Sequence, residues 1–205
     1  ATANTDGGNV SVLFDQGDGK LVFQATYATG TGASAIAAAD LNGDGKVDLA
    51  VANDLDGNVS FLFNQGNGTF GAAVDYPSGM GSRSVVATDL NGDGKVDLAI
   101  ANNTAHNVNV LMSQGNGNFA LPVVYEMSVG ALWVSAADID GDGTVDLAVA
   151  CADTSARVLL NQGDGTFGVP TGYAAGPDQT SVTAADLNGD GKVDLAVGNF
   201  GGKAR

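Results

Sequence analysis

The chain is 205 residues long, and its 31 Gly, four Pro, one Cys and 44% hydrophobic residues suit many short strands joined by tight turns, leaving long helices poorly served. A formal net charge of −15, from 23 acidic and 8 basic residues, argues against nucleic acid and anionic membrane as partners and favours cations. No run of about 18 apolar residues is present, so no membrane-inserted helix is expected, and the opening ATANTDGGNV lacks the basic and apolar regions of a signal peptide.

Taken in chain order, the first strand-like runs are NVSVLF and LVFQATY within 9–27, which read as the third and fourth strands of a unit whose first and second are missing. Three complete units follow, at about 33–79, 82–128 and 131–176. In the second of them the expected strands are 84–90, 96–102, 107–113 and 118–126, each ended by Gly, Asn or Asp. SVTAADL and VDLAVGN, within 181–199, close the chain as a first and second strand without the rest. The split repeat, 179–200 plus 9–30, makes a fourth unit if the two ends pair, either within the chain or across a dimer. That pairing would also remove open strand edges. No Pro-rich or charged linker interrupts the pattern, so 1–205 is expected to be one domain.

The period is set by a repeated sentence. DLNGDGKVD starts at Asp40 and again at Asp89, becomes DIDGDGTVD at Asp138, and returns at Asp186, giving steps of 49, 49 and 48 residues. A second phrase keeps the same step, FDQGDGKLVF from Phe14, FNQGNGTFG from Phe63, MSQGNGNFA from Met112 and LNQGDGTFG from Leu160. The four tyrosines obey it too, at Tyr27, Tyr76, Tyr125 and Tyr173. A 40–50-residue period of short strands is the signature of β-propeller blades, so the expected fold is an all-β propeller of four-stranded antiparallel sheets.

The acidic sentence carries metal chemistry. Thirteen of the 23 acidic residues lie in its four copies, so the charge is localised as ligand charge would be. Positions 1, 3, 5 and 9 supply side-chain oxygens and position 7 a carbonyl: Asp40, Asn42, Asp44, Asp48 with Lys46; Asp89, Asn91, Asp93, Asp97 with Lys95; Asp138, Asp140, Asp142, Asp146 with Thr144; and Asp186, Asn188, Asp190, Asp194 with Lys192. Hard oxygen donors in a glycine-bearing loop suit calcium, and about four structural ions per chain are expected. The absence of His and Cys from these loops argues against zinc or copper. An EF-hand or dockerin reading fails at position 12, which is Val51, Ile100, Val149 or Val197 where a bidentate Glu is required. Turn formation alone explains Asp, Asn and Gly but not the acid at position 9.

These copies, with the NQGNGTFG that follows them, resemble the FG-GAP (VCBS-type) repeats of the integrin α-subunit propeller and related lectin propellers, over about residues 9–200. The resemblance implies that each acidic loop joins the first and second strands of a blade and that its calcium is structural. It also implies propellers of usually seven blades, where this chain supplies four blade equivalents. A four-bladed monomer, a truncated piece and a homodimer closing an eight-bladed ring remain the arrangements to be distinguished.

Candidate ligand residues are those that break the repeat. Trp133 stands where other copies have Ala35, Ser84 and Ser181, and Arg83 where they have Ser34, Leu132 and Thr180. Either could engage a sugar or peptide. Tyr27, Tyr76, Tyr125 and Tyr173 could form a ring of aromatic platforms or fill blade junctions. No catalytic set is expected: the one His, His106, occupies a turn position held by Gly8, Gly57 and Thr154 elsewhere, and the one Cys, Cys151, stands where other copies have Asn53, Asn102 and Asn199. The expected function is therefore a secreted, calcium-stabilised binding or adhesion module for carbohydrate or cell-surface protein. A self-assembling structural module or a polysaccharide-lyase-type domain are the alternatives.

Overall fold

In the computed structural model, which describes residues 1–200, nineteen β-strands and one short 3-10 turn (Thr5–Gly7) make up the regular structure. The strands are β1 (Thr2–Asn4), β2 (Asn9–Asp15) and β3 (Leu21–Ala28); β4 (Ala33–Ala39), β5 (Asp48–Asn53), β6 (Asn58–Leu62) and β7 (Val74–Pro77); β8 (Ser82–Thr88), β9 (Asp97–Asn102), β10 (Asn107–Leu111), β11 (Ser113–Gly115), β12 (Asn118–Phe119) and β13 (Val123–Glu126); β14 (Ala131–Ala137), β15 (Asp146–Cys151), β16 (Ser155–Leu159) and β17 (Thr171–Ala174); and β18 (Gln179–Ala185) and β19 (Asp194–Asn199). Three complete antiparallel sheets result, ordered β4-β5-β6-β7, β8-β9-β10-β13 and β14-β15-β16-β17.

The sequence dictates which strand lies where. The second strands, DLAVAN, DLAIAN and DLAVAC, are near-continuous apolar runs, and all six residues of β5, β9 and β15 are buried. A strand apolar on both faces needs cover on both, and neighbouring sheets supply it. The first strands β4, β8, β14 and β18 pack beside one another from sheet to sheet. The fourth strands face solvent, β7 and β13 carrying mostly exposed side chains.

The core is a series of layers between sheets. One cluster joins Val10 and Val12 to Leu49, Val51 and Leu62; the next joins Ala50, Val59 and Phe61 to Leu98, Ile100 and Leu111; the third joins Val108 and Val110 to Val134, Leu147 and Val149. Each sheet thus depends on its neighbours, as in repeat proteins generally. Knob-and-hole contacts recur at the rim of each junction. Gly117 holds φ +75, and a Cβ there would lie 2.6 Å from Phe63 of the preceding sheet. The same hole at Gly68 receives Phe14, and that at Gly165 receives Met112.

Two expectations change. The 118–126 run is not one strand: Asn118–Phe119 pairs back onto Ser113–Gly115, and the outer strand starts only at Val123, after Pro122, which has no N–H to give a ladder. The first sheet is not a bare third and fourth strand either, because Thr2–Asn4 takes the second-strand place, with Asn4 opposite Asn9 as Asn53 lies opposite Asn58. The Asn4 amide even repeats the bonds of Asn53, donating to Asn9 Oδ1 at 2.7 Å and Ser11 Oγ at 2.9 Å. Among the described residues β18 and β19 pair only with each other, so the two end sheets remain separate within the chain.

Candidate functional site: acidic loops and an axial cleft

Each acidic loop connects a first to a second strand, β4 to β5, β8 to β9, β14 to β15 and β18 to β19, and all four share one backbone design. The position-1 carboxylate collects backbone N–H groups: Asp40 accepts from Gly43 at 2.8 Å and Gly45 at 2.7 Å, and Asp89, Asp138 and Asp186 do the same with their own glycines at 2.7 to 2.9 Å. Those glycines, the fourth and sixth residues, hold φ between 75 and 92 in every loop, so the backbone curls around its own carboxylates.

Position 9 anchors the loop to the sheet. Asp48 Oδ2 accepts the Leu41 N–H at 3.1 Å and Oδ1 the Asn64 N–H at 2.7 Å; Asp97 accepts from Leu90 and Ser113, and Asp146 from Ile139 and Asn161. Asp48 and Asp97 are fully buried. Burial pushes both carboxyl pKa values up, the backbone N–H bonds pull back, and the charges of Asp44 with Asp40, and of Asp93 with Asp89, push up again. At position 5 the direction reverses: the Lys46 ammonium, 2.7 Å from Asp44 Oδ2, and Lys95, 2.6 Å from Asp93 Oδ2, hold those carboxyls below the usual range. In the third loop Thr144 performs that role for Asp142 through its hydroxyl.

The third loop is the most acidic, and its Asp138, Asp140 and Asp146 offer carboxylate oxygens all within 4.8 Å of one another. The other three loops carry Asn at position 3, replacing one of those charges with a neutral oxygen. An oxygen-only donor set converging at this range can hold a hard divalent cation. The cation would offset carboxylate charges that otherwise repel at close range.

The other candidates meet elsewhere. In each first strand the ladder skips one residue, between Ala33 and Ala35, Ser82 and Ser84, Ala131 and Trp133, and Gln179 and Ser181. The skipped residues are Ser34, Arg83, Leu132 and Thr180, and all four line one cleft of about 410 Å³ where the first strands converge. Bulges of this kind re-aim side chains near sites. Trp133, 41% exposed, follows the third bulge and lines the same cleft, as does Asp54, whose carboxylate lies 3.8 Å from the Arg83 guanidinium. Arg83 and Trp133 therefore come together from adjacent sheets. Asp54 was missed in the sequence because its turn varies in every copy; that variability was itself the available signal.

The tyrosines do not form open platforms. Tyr27, Tyr76 and Tyr125 meet Phe70, Phe119 and Phe167 of the next sheet edge-on, at centroid distances of 5.4, 5.8 and 5.5 Å, so their rings are spent on blade junctions. Tyr173 has no such partner among the described residues and is exposed. His106 sits in the turn with φ +57, exposed, and Cys151 is fully buried at the end of β15.

Radially arranged four-stranded sheets with an acidic loop between the first two strands of each define a β-propeller repeat protein. The chain belongs to the FG-GAP-like repeat family, whose pattern matches residues 1–51, 40–100, 89–149 and 138–197. No curated protein sequence matches it. Its fold is similar to that of an Agrocybe aegerita lectin described by its specific recognition of non-reducing terminal N-acetylglucosamine (24% identity, TM-score 0.57, 77% of this chain and 44% of that one). It is also similar to the Photorhabdus luminescens Tc holotoxin pore (20%, TM-score 0.51, 94% and 10%) and to the V. cholerae biofilm matrix protein Bap1 (22%, TM-score 0.51, 89% and 29%). The chain thus spans less than half the length of each of these relatives.

Proposed function

We propose that the protein is a calcium-stabilised, non-catalytic binding propeller of the extracellular space, and that its ligand, a carbohydrate free or carried on a cell-surface protein, docks in the axial cleft. The observation that carries this reading is the convergence of Arg83 and Trp133, two residues the repeat does not require, on one cleft lined by ladder-free positions. The indole offers a flat apolar face for the C–H face of a sugar ring, and Arg83 with Asp54 offers donors and acceptors for neighbouring hydroxyls. The lectin relative, by its described recognition of N-acetylglucosamine, supports the choice of ligand class.

In the loops, Asp40, Asn42, Asp44 and Asp48 and their counterparts would hold calcium, which supplies rigidity and charge neutralisation and no bond-making step. Four dications would take the net charge from −15 to about −7. Exposed, repeated loops of this kind suit millimolar extracellular calcium. The absence of reaction chemistry is supported by the engagement of the loop carboxylates with backbone N–H groups and by the turn position of His106.

The test is a glycan array followed by calorimetry on the best ligand. Trp133→Ala and Arg83→Ala should each weaken binding at least tenfold while leaving the melting temperature unchanged. Binding unaffected by both variants would remove the cleft from the reading. Turnover of an acidic polysaccharide would overturn the non-catalytic assignment.

A further inference from the structure

Two quantities set how tightly an oxygen-lined loop holds a hard dication: the charge of its ligands and the rigidity with which they are held. The three loops inside complete sheets differ in both. In the first, the carboxylates of Asp40, Asp44 and Asp48 against the ammonium of Lys46 give a net −2, and in the second Asp89, Asp93 and Asp97 against Lys95 give −2 again. In the third, Asp138, Asp140, Asp142 and Asp146 face no lysine, because Thr144 takes that position, and the net is −4.

The two lysines are bound into their loops. Lys46 Nζ lies 2.7 Å from Asp44 Oδ2 while the Lys46 N–H donates to Asp44 Oδ1 at 3.0 Å, so one residue engages both oxygens of the position-5 carboxylate. Lys95 does the same to Asp93, at 2.6 and 2.9 Å. Packing also holds the ammonium in place: the Lys46 stem crosses Gly66, where an added Cβ would come within 2.7 Å of Cε, and Lys95 crosses Gly115 at 3.6 Å. Thr144 lays only a methyl group over Gly163, and it directs its N–H and hydroxyl to the same oxygen, Asp142 Oδ1, leaving Oδ2 free among the described residues.

Anchoring separates the third loop from the second. Asn161, 6% exposed, donates its N–H to Asp146, and its Nδ2 bonds the Val145 carbonyl at 2.8 Å and, across the sheet junction, the Leu90 carbonyl of the second loop at 2.7 Å. Its Oδ1 accepts from Gly163 and Gly165. Ser113, in the same place one sheet earlier, gives its N–H to Asp97 but has no amide to span the junction. A cleft of about 330 Å³, lined by Leu41, Asn42, Lys95 and Ser113, lies there between the first and second loops.

We propose that the third loop is the tight calcium site of this chain, and that the first and second, partly neutralised by Lys46 and Lys95, fill only at higher calcium. The inference rests on the calcium reading above. An entering dication must share the position-5 carboxylate of the first two loops with an ammonium already bound to it, whereas the third loop presents an unshared oxygen and two more units of negative charge. Asn161 is a positioning residue, fixing Asp146 and the peptide before it.

The experiment is a calcium titration of the full chain followed by amide NMR, which reads each loop separately through Gly43, Gly92 and Gly141, whose N–H groups donate to the position-1 carboxylates. The Gly141 midpoint should lie at least tenfold below those of Gly43 and Gly92. An Asp140→Asn, Thr144→Lys double variant, which gives the third loop the donor set of the first, should raise the Gly141 midpoint at least tenfold and leave the other two in place. Lys46→Thr should lower the Gly43 midpoint alone, several-fold. Asn161→Ser should raise the Gly141 midpoint several-fold with unchanged far-UV circular dichroism; an unmoved midpoint would overturn the positioning role. Equal midpoints in all three loops, or a Lys46→Thr loop that fills no earlier, would overturn the inference while leaving calcium binding intact. Glycine amides that stay in place throughout the millimolar range would overturn the calcium reading itself, and this inference with it.

Discussion

At the scale of single residues, charge placement sets the behaviour of the metal-free protein. Asp48 and Asp97 have raised carboxyl pKa values, chiefly from burial, so the folded protein holds protons at these positions that the unfolded chain has already lost. Stability contributed there is present at low pH and falls as pH rises above the ordinary aspartate value of about 3.9 toward each raised value. A cation favours the ionised forms, so its stabilising effect should grow over the same window. Melting curves from pH 3.5 upward, with chelator and with calcium, should show opposite slopes, and an Asp48→Asn, Asp97→Asn double variant should flatten both; parallel slopes would count against cation binding at these loops. His106 stands in a left-handed turn conformation that Gly8 and Gly57 occupy in the neighbouring copies. His106→Gly should therefore stabilise the protein by about 1 kcal/mol in denaturant titrations. Cys151, buried and with its thiol pKa pushed up by that burial, should react with a thiol reagent only as fast as the protein opens.

At the scale of the strand, equivalent positions can be read against one another. The Asn102 side-chain carbonyl accepts the Ser82 hydroxyl at 2.9 Å, whereas the Asn53 carbonyl, equally buried, has no donor among the described residues because Ala33 stands where Ser82 does. Ala33→Ser should satisfy it and raise stability by about 1 kcal/mol; a loss in chemical denaturation would mean that the site cannot accept the extra oxygen. The sequence made much of this level legible. Asp40 to Asp48 and its copies announced their loops, and DLAVAN its buried strand, because metal-type spacing and unbroken apolar runs are local. Less legible was what depends on cross-strand partners. Thr2–Asn4 is too short to stand out as a strand until Asn9 and Ser11 lie beside it. The cleft needed the bulges, which exist only once β4, β8, β14 and β18 are paired. The tyrosines could be placed on a period but not on a side, and only Phe70, Phe119 and Phe167 show which way they turn.

At the scale of the whole molecule, a layered core means that each sheet is stable through its neighbours, and the acidic loops sit where first and second strands meet. Removing a cation from one loop should therefore loosen two junctions. A site held at a hundredfold excess over its dissociation constant contributes about 2.7 kcal/mol, which corresponds to roughly 5–10 °C in melting temperature for a chain of this length. Chelation should lower the midpoint by at least that amount and broaden the transition; an unchanged calorimetric trace would remove calcium from the stability of the fold. The ladder-free position in each first strand has a bearing on how such a molecule could change over time. Ser34, Arg83, Leu132 and Thr180 line the cleft while standing outside the ladder pairs around them; Arg83 and Leu132 can be exchanged without touching a strand pairing, whereas the Ser34 hydroxyl also donates to the Ala52 and Ser82 carbonyls and the Thr180 hydroxyl to the Gly198 carbonyl. If the cleft holds the ligand as proposed, the repeat separates inheritance of architecture from inheritance of specificity at those two positions. A combinatorial library confined to codons 83 and 132 would test that separation, with ligand preference expected to change across its members while folding stays nearly constant.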